Sequence, residues 1–167
     1  GNGKYVGFHT EMAEHIIADL QKQLGLSKLD IKYQPITSQN RVPLVTNGTV
    51  DLECGSTTNN RSRAKDVAFA VTTYVEEVRI ATKTNSGIKG IKDLNGKTVA
   101  TTTGTTSVQT LRKNERAGGI DFKEVLGKDH ADSFLLLETG RADAFVMDGS
   151  ILAANISKAK SPADYHI

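Results

Sequence analysis

Apolar residues recur at helical spacing at Met12, Ile16, Leu20 and Leu24. The spacing predicts a helix over 11–24, entered after Thr10, with that stripe buried and Gly25 as its stop. Residues 31–36 then read as a strand with Pro35 near its end. A short helix is expected over 41–47, where Pro43 is tolerable in the first turn and Gly48 closes it. Residues 50–54 alternate like a short strand and run into the polar loop 55–60. One helical turn is expected over 61–66, and strands over 67–71 and 78–83. The tract Thr84-Asn85-Ser86-Gly87 breaks the pattern and divides the chain into 1–83 and 84–167. Past it, a short helix and turn at 91–97 feeds a strand at 98–101, and helices follow at 108–116, 131–139 and 151–158. In the middle one Phe134, Leu135 and Leu137 form the apolar side. Between them lie strands at 122–125 and 144–147, with another starting at 165–167. Strands alternating with helices imply an α/β fold with a parallel-type sheet, here in two lobes.

Composition narrows the chemistry. With 38% hydrophobic and 24% charged residues, a packed core is expected and disorder is not. Aromatics make up 5% and Trp is absent, which disfavours a base-stacking platform. A net charge of +2, dispersed along the chain, carries no nucleic-acid footprint. No apolar run approaches the roughly 18–20 residues of a membrane span. The single cysteine, Cys54, excludes an intrachain disulfide and a multi-thiolate metal site. Glu14-His15 does not make the zinc motif, and Gly104 is not followed by the Lys-Ser/Thr of a nucleotide loop. No metal or other cofactor is expected. His9 and His15 read as structural or exposed, and Cys54 as a small hydrophobe. Three glycosylation sequons, at Asn47, Asn60 and Asn155, read as chance.

In open α/β sheets, ligands gather at the carboxyl ends of strands. Three strand ends stand out: Gly55 to Asn60, Thr102 to Ser107, and the Asp148-Gly149 corner. The first two are rich in hydroxyls and precede helical residues, whose free N–H groups suit an anion. The third is a lone carboxylate after four apolar residues. Each has a plain alternative: Ser and Thr cap helices, and Asp148 caps the helix that follows. Together, hydroxyls with Arg63 suit a carboxylate and Asp148 suits an ammonium. Those are the two charged ends of a free amino acid.

Further runs carry a family resemblance. Pro35-Ile36-Thr37-Ser38-Gln39-Asn40-Arg41, the stretch from Asp51 to Asn60, Leu94-Asn95-Gly96-Lys97, Gly104-Thr105-Thr106-Ser107, Lys128 to Phe134, and Glu138 to Phe145 leading to Met147-Asp148 resemble solute-binding protein family 3. Within it they are similar to the periplasmic glutamate/aspartate-binding proteins of amino-acid ABC importers. The resemblance implies a two-lobed, type II periplasmic-binding-protein-like fold whose lobes close on glutamate or aspartate before docking on a permease. It implies that Arg63 grips the α-carboxylate, with Ser56 and Thr58 on the ligand's main-chain groups. Thr105 and Thr106 would close on the carboxylate from the second lobe, and Asp148 would receive the ammonium. Ser38, Arg41 and His130 would hold the acidic side chain. In such proteins a cysteine at position 54 can pair with one nearer the C-terminus, so Cys54 is expected here as an unpaired thiol.

The family pattern also begins before Gly3 and continues past Ile167, so the first lobe is expected to be incomplete. Open sheet edges would then favour weak binding or pairing with a second copy. Singly, Arg41 and Arg63 also fit solvated surface charges, and His130 a surface histidine. Two other functions share the architecture: an enzyme resembling cyclohexadienyl dehydratase, and the ligand-binding part of a membrane sensor. The enzyme would need a general acid, and the alternation around Glu53 points that carboxylate away from the loop hydroxyls.

Overall fold

The computed structural model describes residues 4–167, which divide into two compact units. One comprises residues up to Ile36 together with Arg41–Phe69; the other comprises Thr37–Asn40 together with Ala70–Ile167. The second unit therefore begins ahead of the polar break at Thr84.

The second unit is built on a five-stranded sheet. Its strands are β1 (Val78–Lys83), β2 (Thr98–Thr102), β3 (Lys123–Gly127), β4 (Ala144–Asp148) and β5 (Tyr165–His166), in the order β3-β2-β4-β1-β5. β2 runs parallel to both β3 and β4, and β1 runs antiparallel to β4 and to β5. The sheet is thus mixed, where alternation alone predicts a parallel one. Ladder bonds to β4, with Val78 opposite Asp148 and Thr82 opposite Ala144, place β1 in this unit. Sequence order cannot reveal that pairing, because a strand's partner need not be its neighbour along the chain.

The side-chain period of two sends successive residues of β4 to opposite faces. Phe145 and Met147 join Phe134 and Leu137 of α4 (His130–Glu138) and Leu152 of α5 (Gly149–Ile156) in one core. Ala144 and Val146 join Leu94, Phe122 and Leu111, the last on α3 (Thr106–Gly118), in the other. A strand covered on both faces reads as an unbroken apolar run, which explains Ala144-Phe145-Val146-Met147. Leu135 does not share the buried side of α4; it is half exposed, whereas Phe134 and Leu137 are buried in that core and Leu136 packs against it.

The first unit contains α1 (Phe8–Gln23), α2 (Arg41–Thr46) and a 3-10 turn, Arg63–Lys65. α1 starts earlier than expected, on Gly7, and ends where expected. Gly25 takes φ +63°, and the N–H groups of Gly25 and Leu26 donate to the carbonyls of Lys22 and Gln21. That is the left-handed closure for which glycine lacks the Cβ penalty. The predicted strands at 31–36, 50–54 and 67–71 are not strands. A strand exists only through ladder bonds to a neighbour, and alternation cannot supply one. The stripe of α1 is likewise not buried: Ile16, Leu20 and Leu24 are exposed, and Ala13 is the helix's buried residue. Among the described residues, no helix is long and apolar enough to cross a membrane.

Candidate functional site

In the second unit the three parallel strands β3, β2 and β4 bring their carboxyl ends to one edge of the sheet. Residues 103–107, 128–130 and 148–150 follow those ends, so Thr105, Thr106, His130 and Asp148 lie along the same edge. Ser107 Oγ reaches Met147 Sδ at 3.6 Å, tying the start of α3 to the end of β4. The turn carrying Ser38 joins them. A Cβ placed on Gly104 would stand 2.6 Å from Gln39 Cα and 2.8 Å from the Ser38 carbonyl oxygen. Gly104 also has φ +79°. Only glycine meets both demands, so the Ser38 turn packs directly on the hydroxyl loop.

Thr105 occupies the N-cap position of α3, yet its side chain makes no cap bond. Its hydroxyl donates to the Thr102 carbonyl at 2.8 Å instead. Asp148 stands at the N-cap position of α5, and its side chain does not cap either. The cap comes from Glu76, whose Oε2 accepts from the Ser150 N–H at 2.9 Å, while Glu77 O accepts from the Gly149 N–H at 3.0 Å. Hydrogen bonds from the Ser150 side chain, then from the Glu77 and Ser150 N–H groups, hold the Glu76 carboxyl below the usual glutamate range. The helix-cap alternative for Asp148 thus falls to a residue the sequence left unmarked, because Glu76 lies 74 positions away from Ser150.

His130 is the first residue of α4. Asp129 caps that helix, accepting from the Asp132 N–H at 2.8 Å, and Asp132 Oδ2 accepts from the Lys128 N–H at 3.0 Å. These bonds fix the entry of the chain and so aim the imidazole. His130 Nδ1 lies 3.1 Å from Thr102 Oγ1, which lies 2.8 Å from Ser133 Oγ. Thr102 and Ser133 are fully buried. Both lie in runs that stand out in the sequence, but nothing there pairs them, 31 positions apart.

In the first unit, Arg63 opens the 3-10 turn. Its backbone N–H donates to Asn60 Oδ1 at 2.9 Å and its Nη1 to the Thr58 carbonyl at 3.0 Å. The guanidinium is thereby folded onto the loop that carries Ser56 and Thr58, both exposed. Burial pulls the Arg63 pKa down and the Glu53 charge pulls it up; the side chain stays cationic. Glu53 Oε1 would lie 2.6 Å from a Cβ on Gly55, the first residue of the loop. With no ladder in this segment, alternation does not set its direction. Cys54 is a free, half-buried thiol, pushed up by burial and by Glu53. It too lies outside any strand.

Arg41, the first residue of α2, is 5% exposed. It is not a solvated surface charge, and Arg63 is half-buried. The two units thus hold separate groups, with Ser56, Thr58, Arg63 and Arg41 in the first and Ser38, Thr105, Thr106, His130 and Asp148 in the second. Among the described residues no cluster of three or more His, Cys, Asp or Glu side chains is arranged to hold a metal.

Comparison with known proteins gives a family match over residues 1–142, to the bacterial extracellular solute-binding proteins, family 3. The chain is 45% identical over 164 residues to the glutamate/aspartate import solute-binding protein of Salmonella typhimurium, covering 98% of this chain and 54% of that protein. It is 42% identical over 163 residues to the L-glutamate/L-aspartate-binding protein of Pseudomonas aeruginosa, again covering 98% and 54%. Among solved structures, an ancestral arginine-binding protein bound to arginine superposes with a TM-score of 0.84 at 28% identity, covering 99% of this chain and 69% of the other. The fold is that of the type II periplasmic binding proteins. The chain spans about half the length of the curated relatives it matches.

Proposed function

The chain belongs to the bacterial extracellular solute-binding proteins, family 3, and on that footing we propose that it binds glutamate or aspartate, unchanged, in the periplasm for delivery to an ABC importer. The observation that carries the reading is Asp148 at the carboxyl edge of the parallel strands, relieved of helix capping by Glu76. A half-buried carboxylate beside a hydroxyl loop and a helix N-terminus is suited to the ammonium and carboxylate of one amino acid.

The roles divide by charge. Asp148 takes the α-ammonium. Arg63, with Ser56 and Thr58 in its loop, takes the α-carboxylate, aided by the Thr105 and Thr106 hydroxyls and the N–H groups opening α3. Arg41, Ser38 and His130 take the side-chain carboxylate. The same fold serves an arginine binder, so the backbone does not choose the sign of the ligand's side chain. That choice rests on the three residues that face it.

Isothermal calorimetry with glutamate, aspartate, glutamine and arginine tests the assignment. Asp148→Ala or Arg63→Ala is expected to weaken glutamate binding by about 2–5 kcal/mol, because each leaves one ligand charge without its partner. A variant within about twofold of the parent, well under 1 kcal/mol, rejects that residue's role.

A further inference from the structure

Resting on the reading that His130 faces the ligand's side-chain carboxylate, we propose that Thr102 and Ser133 are positioning residues that lock His130 in its Nδ1–H form. They thereby make Nε2 the ring atom that meets the ligand, so that only the imidazolium donates to an acidic side chain and the neutral ring accepts from an amide. The argument is a count of protons. Ser133 Oγ lies 2.9 Å from the Asp129 carbonyl oxygen, 3.1 Å from the Thr101 carbonyl oxygen and 2.8 Å from Thr102 Oγ1. Carbonyl oxygens only accept; giving the one Ser133 proton to a carbonyl leaves one close oxygen pair unbridged, whereas giving it to Thr102 leaves two, so the proton is assigned to a carbonyl. Thr102 must then donate to Ser133, since otherwise two buried oxygens would face each other 2.8 Å apart with no proton between them. With the Thr102 proton spent, Thr102 Oγ1 can only accept from His130 Nδ1, 3.1 Å away. Each of the three steps then carries one proton, in one direction only.

Burial gives the chain its force. Thr102 and Ser133 are both fully buried, and no water replaces a bond missing there. Ser133 is held by its place in α4, and Thr102 by β2, paired to β3 with Thr102 opposite Gly127. A side chain at Gly127 would collide with Ser133, whose N would lie 2.6 Å from the new Cβ; strand and helix are in close contact where the relay crosses. With Nδ1–H committed to Thr102, Nε2 is the nitrogen that gains or loses the ring's proton. The imidazolium offers an Nε2–H donor to a carboxylate, and the neutral ring offers a lone pair to an amide N–H. The relay therefore fixes both the ring's orientation and the atom that meets the ligand.

The test is a long-range 1H–15N spectrum of the imidazoles of the intact protein without ligand. His130 is assigned by its loss in His130→Gln. The neutral ring is expected as the Nδ1–H tautomer, the less common form of a free histidine side chain. In Thr102→Val the tautomer should become mixed, and with the ring neutral the glutamate-to-glutamine affinity ratio should rise about tenfold, the worth of one hydrogen bond to a charged group, because the freed ring can present Nε2–H to the carboxylate. Thr102→Ser should restore both. An Nε2–H ring at His130 in the unaltered protein overturns the proposal, whether or not Thr102→Val folds. A Thr102→Val protein that keeps both tautomer and ratio also overturns it. A locked Nδ1–H ring in a protein that binds no acidic amino acid overturns the ligand reading and the specificity role together. The spectrum thus separates the two failures.

Discussion

In the unit that holds the sheet, Phe145, Leu137 and Leu152 are completely buried, whereas Ile16 and Leu20 of α1 stand 43% and 45% exposed. Both sets follow a clean apolar repeat. The difference lies in what each repeat meets. β4 has hydrogen-bonded strands on either side and helices over both faces, while the described residues of the first unit contain no strand. An amphipathic pattern determines which face of an element is apolar; a second layer determines whether that face is removed from water.

The contrast can be broken most forcefully by truncation. Phe145→Ala should cost about 3–5 kcal/mol in urea unfolding, through lost transfer energy and the cavity left behind, whereas Leu20→Ala should cost less than about 1 kcal/mol. Equal losses would mean that α1 is buried in solution and would dissolve the comparison. Next come two of the glycines with left-handed backbone. Gly104→Ala should cost about 2–3 kcal/mol and loosen ligand binding, because the new Cβ meets the backbone of Gln39 at 2.6 Å as well as paying the φ penalty. Gly25→Ala, with φ +63° and nothing within 4 Å, should cost about 1 kcal/mol and leave binding unchanged. A binding loss in the second variant equal to that in the first would remove the special place given to the Ser38 turn.

The smallest effect is at the cap. Glu76→Ala should cost about 1 kcal/mol, typical of a lost cap. The pKa of Glu76 is lower in the folded state than its ordinary value. Its contribution is therefore present above the unfolded glutamate pKa of about 4.3 and fades as pH falls through the folded value. Acid titration of stability should show that loss in the parent and not in Glu76→Ala. α1 begins on Gly7 with no side-chain cap and has no counterpart to lose.

Much of the site was legible in short runs of residues. The run Lys128 to Phe134 stood out in the sequence, and Asp129, His130 and Asp132 stand at the head of α4. Gly104 announced a turn between β2 and α3. The cap from Glu76 and the hydroxyl pair Thr102–Ser133 were not legible, since each joins residues far apart in sequence. The same holds for the arginines: sequence statistics favour solvated Arg side chains, and only packing shows Arg41 buried.

Local physics sufficed for what depends on a few neighbouring residues. The places of the helices, glycine stops, the loops at strand ends and the continuous apolar run of β4 follow from torsional preference and period. The tertiary structure decided what depends on partners: the antiparallel place of β1, the absence of ladders at 31–36 and 50–54, and which carboxylate caps α5. Hydrogen bonds and burial are pairwise quantities, and one chain segment carries only half of each pair.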